Sequence, residues 1–275
     1  MIKWRKYNGA IIPDSPPHIN VDTNDLEIKI KENKVYFARW ITEFDSRNKE
    51  NFWYVICDNK SELSDYSRNT RSKINRGLKQ CEVRIINKKT IVELGYEVYS
   101  SAFENYETYL KAKSKKEFVS QIEETQSDWE FWGVFYNGKM IAYSKNKLID
   151  NYCEYASLKF EPDFLRYYSS YALFYTMNTY YLNEKNFKYV NNGARSISHS
   201  TNIQDLLIQK FLFRQAYCKL HILYTPTVKI LVDVLFPFRH LLKMLSFLSL
   251  IRINTLLKIN ILLKQEEMSR QVVQN

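Results

Sequence analysis

Residues 129–136 read Trp129-Glu-Phe-Trp-Gly-Val-Phe-Tyr136, followed by Asn137-Gly138 and then Lys139-Met-Ile-Ala-Tyr-Ser-Lys-Asn-Lys-Leu-Ile149. Asn-Gly between two β-rich runs predicts a hairpin, because both turn residues tolerate positive φ. A second polar turn, Asp150-Asn151, leads into Tyr152-Cys-Glu-Tyr-Ala-Ser-Leu-Lys159, so three antiparallel strands are expected in succession. Pro162 closes this meander. Apolar residues spaced by three and four (Tyr168, Tyr171, Ala172, Tyr175, Met177) then predict a helix over about 166–182. Lys188 to Gly193 reads as one more strand. The β-β-β-α-β order makes the fold class α/β (or α+β), with a helix crossing over a mixed sheet.

Upstream, a Pro-rich opening (Pro13, Pro16, Pro17) gives way to segments that read as strands. Leu26-Glu-Ile-Lys-Ile-Lys31 alternates apolar and charged residues, as a half-solvated strand does, and Val35–Ile41 and Phe52–Cys57 are two further strand candidates. Ser61 to Lys79 is the most charged helix candidate, with Ser64 or Ser67 as its cap. It carries Arg68, Arg71, Lys73, Arg76 and Lys79 around a thin seam of Ile74 and Leu78, without acidic partners one turn away. A strand (82–86) and helices (91–109 and 115–124) lead back to the meander. No linker separates two halves. The organisation read from this order is a β-rich N-terminal part with the basic helix (1–90), an α/β domain (91–225) and a C-terminal helical segment (226–275).

With 275 residues, 45% apolar and 25% charged, the chain is globular and long enough for a large core. Its formal charge of +10 favours acidic partners: nucleic acid, anionic lipid or phosphorylated substrates. Cys57, Cys81, Cys153 and Cys218 are scattered and no histidines cluster, which argues against a zinc site or a disulfide scaffold. The first residues hold no apolar core of signal-peptide length. A cytoplasmic location is the expectation.

The run Ser67-Arg-Asn-Thr-Arg-Ser-Lys-Ile-Asn-Arg-Gly-Leu-Lys-Gln-Cys-Glu-Val-Arg84 resembles the basic helix-then-strand of Fem-type proteins. The following helix with Tyr99, Phe103 and Tyr106, and the hairpin Gly133-Val-Phe-Tyr-Asn-Gly-Lys-Met-Ile-Ala142, are similar to the GNAT-like half of the same proteins. The resemblance spans about residues 60–220. It implies a GNAT-like mixed sheet flanked by helices, alone or as part of a tandem arrangement, with a C-terminal helical extension. It also implies transfer of an acyl or aminoacyl group to an amine or hydroxyl of a cell-envelope or surface-polysaccharide precursor. GNAT enzymes hold the coenzyme A pyrophosphate on a glycine-rich loop at a helix N-terminus. Here that place reads Lys159-Phe-Glu-Pro-Asp-Phe-Leu-Arg166, without a glycine. Acyl-CoA and aminoacyl-tRNA therefore both stand as donors, and no metal is called for.

Acyl transfer needs a held donor, a base for the acceptor proton and hydrogen-bond donors for the oxyanion. The densest polar run is Asn191-Asn-Gly-Ala-Arg-Ser-Ile-Ser-His-Ser-Thr-Asn-Ile-Gln204. In it His199 is a candidate general base and Arg195 a candidate partner of a phosphate or carboxylate, with Ser196 and Asn202 as substrate contacts; a plain polar connection, with Thr201 capping the next helix (202–213), is the ordinary alternative. Glu154, sharing a sheet face with Tyr152 and Ala156, is the second base candidate. Arg39, Trp40 and Trp53 form either a core with one surface cation or a pocket wall, and Arg68, Arg71 and Arg76 either a solvated face or an anion-binding one. A non-catalytic scaffold of the same fold and an RNA-binding protein are the competing readings.

Cys218–Tyr224 reads as a final strand, ended by Pro226. Residues 228–263 then turn rich in Leu, Ile and Phe, but charges interrupt every window of the ~18 residues that a spanning helix needs. Pro237 breaks the run into two pieces. Such basic amphipathic helices fit either an anionic membrane surface, placing the protein peripherally on its inner face, or packing on protein. The expected partner besides that surface is an anionic small molecule or a phosphate-linked glycan, with nucleic acid confined to tRNA as donor.

Overall fold

The computed structural model describes residues 3–105, 111–197, 202–248 and 254–270. Along the chain run β1 (Trp4–Tyr7), β2 (Ala10–Pro13), α1 (Leu26–Asn33), β3 (Phe37–Ser46), β4 (Phe52–Cys57), α2 (Arg68–Gln80), β5 (Glu82–Ile86), α3 (Lys88–Glu104) and α4 (Lys115–Glu123). The meander follows as β6 (Trp129–Tyr136), β7 (Lys139–Ile149) and β8 (Tyr152–Phe160). After it come α5 (Ser169–Asn178), β9 (Tyr189–Ala194), α6 (Asn202–Lys210), β10 (Arg214–Tyr224), α7 (Pro226–Leu235), α8 (Arg239–Leu248) and α9 (Asn254–Ser269). The chain is mixed α/β. It forms two compact units that are discontinuous in sequence: residues 1–54, 194–200 and 215–275 in the first, residues 55–193 and 201–214 in the second.

In the second unit the strand order is β9-β8-β7-β6-β5, with the end of β4 beside β9. The expected hairpin is present: Asn137 and Gly138 have φ of 49° and 80°, the paired positive values of a twisted two-residue turn. One face of this sheet carries α3 and α4, whose Ile91, Val98, Tyr99, Phe118 and Ile122 pack on Phe131, Phe135 and Tyr143. The other face is covered by α5 and the turn after it, with Phe174 and Met177 of α5 and Tyr181 of that turn fully buried. Caps hold the helix starts: Ser67 accepts from the Thr70 amide at 3.3 Å, Asn87 from the Thr90 amide at 2.9 Å, and Ser114 and Glu117 form a reciprocal capping box.

In the first unit the order is β1-β2-β3-β10, followed by the start of β4. β2 and β3 pair in parallel, the other assigned pairs antiparallel. Two expectations about local structure change, one in each unit. Leu26–Lys31 is not a strand but the body of α1: Leu26 and Ile30, one helical turn apart, are buried against Ile11 and Ala38, while Ile28 is exposed. The sequence satisfies period two and period four at once, and Glu27 in the first turn with Lys31 in the last favours the helix dipole. The long helix read over 166–182 is also shorter. A 3₁₀ turn (Pro162–Tyr167) ends at Tyr168 with φ of 59°, α5 begins only at Ser169, and a π-helical turn (Thr179–Glu184) finishes it. Pro237 does break the C-terminal helices, in a 3₁₀ turn at Phe236–Phe238. No helix among the described residues is long and apolar enough to cross a membrane.

Candidate functional site

The sheet of the second unit opens where β8 parts from β9. The two strands are parallel, and their register covers only Tyr152–Glu154 against Tyr189–Asn191, although β8 runs on to Phe160. The cause lies on the other edge of β8. Its pairing with β7 shifts between Lys145 and Asn146, which face Ser157 and Tyr155, so Ala156 is the extra residue of a β-bulge. A bulge bends its strand and increases the local twist. β8 is thereby turned away from β9 one step beyond Glu154.

Glu154, half-buried, stands at that fork. Its Oε2 accepts from the Tyr152 hydroxyl at 3.2 Å, and Lys147 lies opposite it in the β7–β8 register. Tyr152 is buried, with its ring 4.9 Å from that of Tyr189. Burial first, then the charge of Glu154, hold the Tyr152 phenol well above its usual range, so it remains a proton donor to the carboxylate. Asn191, also buried, accepts from the Gly193 amide at 2.8 Å, which shapes the strand exit where Gly193 takes φ of 85°. Among the catalytic candidates, Glu154 is placed at this opening, whereas Arg195 belongs to the first unit. Tyr152, Tyr189 and Asn191 carry no local signal that marks them for a site, although Tyr152 shares the face of Glu154 by period two.

Behind the fork, on the α5 side, lies a polar cluster inside the core. The Tyr181 hydroxyl donates to Glu130 and accepts from Trp132 Nε1 at 2.8 Å and Asn146 Nδ2 at 3.1 Å. Asn146 in turn accepts from Ser144. Desolvation pushes the Tyr181 phenol far up, so this hydroxyl stays protonated.

The basic helix α2 packs on α5. Lys73 lies 5.4 Å from the centroid of Tyr171, and Arg76 lies 4.9 Å from that of Tyr168 and donates to its hydroxyl at 3.3 Å. Arg71 donates to the Ser64 carbonyl at 3.2 Å, and Arg68 is exposed. The first turn of α5 is closed off beneath this contact: Ser169 is 0% and Ser170 9% exposed. The helix-start residues whose amides would cradle a phosphate in a GNAT enzyme are thus largely closed to solvent.

The remaining candidates belong mostly to the first unit, where they hold each other and the C-terminal helix. Arg39 donates to Gln265 Oε1 at 2.9 Å, and Trp40 stacks on His221 with centroids 5.3 Å apart. Arg195 lies 4.2 Å from the centroid of Trp53 and donates to the Asn51 carbonyl at 2.6 Å. The Ser196 carbonyl accepts from Lys264 at 3.2 Å. Asn202 opens α6 in the second unit, exposed. His199, the first-named base, and Thr201, the expected cap, lie outside the described residues.

All four cysteines are free and buried, and burial pushes the Cys57 thiol up to about 11 and the Cys218 thiol to about 12, which leaves both inert at neutral pH. No group of three metal-ligating side chains occurs among the described residues.

His221 supplies a pH prediction. Its Nε2 is 2.7 Å from Thr42 Oγ1, and burial, then Lys219, lower its pKa against the opposing pull of Glu43. The unfolded chain therefore binds the proton first as pH falls. The stability linked to this group is complete above the ordinary histidine pKa of about 6.5 and is lost as pH drops through it towards the lower folded value. Urea midpoints measured from about pH 7.5 to 5 should fall, and His221→Gln should flatten that slope.

No family model matches the sequence, and no curated protein matches it. Among solved structures the chain is similar to FemX, at 10% identity over 72% of this chain and 68% of that one, with a TM-score of 0.49. It is also similar to the C-terminal domain of an Agrobacterium fabrum protein assigned as a lysylphosphatidylglycerol synthetase, at 12% identity, 70% and 66% coverage and a TM-score of 0.46. A third is the ribosomal-protein-S18-alanine N-acetyltransferase from Escherichia coli, at 16% identity, 38% and 61% coverage and a TM-score of 0.31. The chain thus spans about two thirds of the length of these structures. At such identities the likeness is one of chain path alone.

Proposed function

We propose that the protein transfers an acyl or aminoacyl group to an amine or hydroxyl of an anionic acceptor, with Glu154 as general base. The observation that carries this reading is the fork itself: the β8–β9 register stops at Glu154 and Asn191, and a carboxylate with an oriented hydrogen-bond donor stands where it stops. Unpaired strand edge beyond the fork offers backbone groups to an extended donor chain. The resemblance of residues 60–220 to Fem-type and GNAT sequences points to the same chemistry. In this reading the acceptor nitrogen or oxygen bonds to the acyl carbon, its proton passes to Glu154, and the bond from that carbon to the leaving sulfur or oxygen breaks. The leaving atom then takes the proton back from Glu154. Tyr152, neutral at working pH, orients the carboxylate.

The buried first turn of α5 favours a donor that does not depend on those amides, and hence aminoacyl-tRNA over acyl-CoA. The exposed cations of α2 (Arg68, Arg76) would meet the backbone phosphates of such a donor. The acceptor class follows the resemblance: a phosphate-linked precursor of the cell envelope or a surface polysaccharide.

The test pairs binding with turnover. Calorimetry with acetyl-coenzyme A and with aminoacyl-tRNA should give saturable, salt-dependent binding of the tRNA. Transfer to a phosphate-linked amino-sugar acceptor should then fall about 100-fold in Glu154→Gln, with donor affinity unchanged. Tight acetyl-coenzyme A binding would reverse the choice of donor. Transfer indifferent to Glu154→Gln would remove the base, and tRNA binding without transfer would leave a binding protein.

A further inference from the structure

We propose that the outward face of α7 and α8, in the first unit, docks on an anionic lipid bilayer and lies in its interface. The inward side of these helices is satisfied within the protein: Val232 and Phe236 are buried with Leu263 of α9, and Val228, Leu235 and Leu242 pack against the same cluster. A surface helix is expected to turn polar on its other side. This one does not. Ile230 is 66% exposed, Val234 60%, Phe238 57%, Met244 52% and Leu241 50%. On α7, Ile230, Val234 and Leu231 fall within an arc of about 100°, and on α8 Leu241 and Met244 lie about 60° apart, at roughly 100° per residue. Soluble surfaces rarely leave so many apolar side chains on adjoining turns uncovered.

Charge decides among occupants. From Pro226 to Lys264 the sequence holds Lys229, Arg239, Lys243, Arg252, Lys258 and Lys264 against the single acid Asp233. Asp233 is neutralised within its own helix by Lys229. Arg239 is paired with Glu267 at 3.5 Å, and His240 and Lys243 of α8 and Lys258 of α9 are exposed. A second copy of the chain docking through this face would bring like charges together, which is costly. An anionic bilayer takes the apolar side chains into its acyl boundary and attracts the net positive charge of these helices at its headgroups, each cation near the surface strengthening the attraction. With no described helix able to span, the helices lie on the membrane rather than cross it.

The experiment is co-sedimentation of the full chain with vesicles of phosphatidylcholine alone and of phosphatidylcholine with phosphatidylglycerol. The expected result is roughly tenfold or stronger preference for the anionic vesicles, declining as salt rises. Phe238→Asp with Leu241→Asp should abolish binding while leaving the melting curve in place, since both side chains are at least half exposed. Should that pair disturb folding, Lys243→Glu with Lys258→Glu serves instead and should erase the preference for anionic vesicles. Equal partition of wild type and variants, or none by the wild type, would overturn the proposal. So would a dimer in light scattering that dissociates in the Phe238→Asp, Leu241→Asp variant without any vesicle binding, which would make the face a contact between copies.

Discussion

Gly77→Ala is expected to destabilise the second unit by about 3 kcal/mol, although alanine is the better helix former by about 1 kcal/mol. The two effects have opposite signs, so the outcome tests the packing directly. A Cβ added at Gly77 would stand 2.6 Å from the carbonyl oxygen of Tyr168, 3.2 Å from Ala172 Cβ and 3.3 Å from Ala172 N. The first of these is backbone and cannot swing aside as a side chain would. Tyr168 is itself fixed, in the left-handed region at φ of 59°, with its carbonyl accepting the Ala172 amide at 3.0 Å. Relief therefore requires moving α2 off α5, which would also withdraw Lys73 and Arg76 from Tyr171 and Tyr168. Urea denaturation of Gly77→Ala should show a lower midpoint. Gly138→Ala is the comparison: its Cβ would meet nothing within 4 Å. Only the strain of its positive φ, about 1 kcal/mol, should be felt there. A rise in stability of Gly77→Ala would mean that the helices are not held this close.

The same contact shows what can and cannot be read from the sequence. Residues 67–80 announce a capped basic helix, and Ser67 does cap α2. That a glycine in its last turn is the point where α5 approaches is invisible locally, because the partner atom belongs to Tyr168, far along the chain. The meander is legible because its signals are short-range: the turn at Asn137-Gly138 and the alternation on either side. Leu26–Lys31 misleads because so short a run fits both periods, and burial against Ile11 and Ala38 chooses between them. Residues 194–200 and 215–275 joining the first unit is likewise a long-range fact, with no local sign in Ala194 or Gln215. At the fork, the place of Glu154 on a strand is legible from the alternation, but the bulge at Ala156 that opens the sheet beside it is a property of pairing with β7. In the sequence Arg39, Trp40 and Trp53 read either as a core with one surface cation or as a pocket wall. In the fold these side chains are engaged by Gln265, His221 and Arg195.

Tyr181→Phe should cost about 3 kcal/mol, an unusual loss for the removal of one oxygen atom. Three partners depend on that hydroxyl: the Trp132 indole N–H, the Asn146 amide and the Glu130 carboxylate. Tyr181 and Asn146 are both 0% exposed, so water is not at hand to replace what is lost. Trp132 retains a longer contact to Glu130 at 3.2 Å, and Asn146 retains Met177 Sδ at 3.3 Å, a weak acceptor. The main cost falls on Glu130, which loses a hydrogen bond to a half-buried carboxylate, worth about 1.5–3 kcal/mol, and on the amide left with sulfur alone. A double-mutant cycle separates these contributions. Glu130→Gln alone also disturbs the hub, by replacing the carboxylate that accepts the phenol proton. With Tyr181→Phe already in place, that hydrogen bond no longer exists to be weakened. The double variant should therefore lose about 1–2 kcal/mol less than the sum of the singles. Additive losses would mean that Glu130 and Tyr181 act independently, and that the hub is held by packing rather than by its hydrogen bonds. Because Asn146 sits beside the register shift that forms the Ala156 bulge, loosening the hub should also relax the fork. Under the proposed reading, transfer that depends on Glu154 is then expected to weaken in Tyr181→Phe, although the hydroxyl's partners are Trp132, Asn146 and Glu130 rather than Glu154. Turnover measured without urea, at a temperature where the variant is fully folded, reads that coupling.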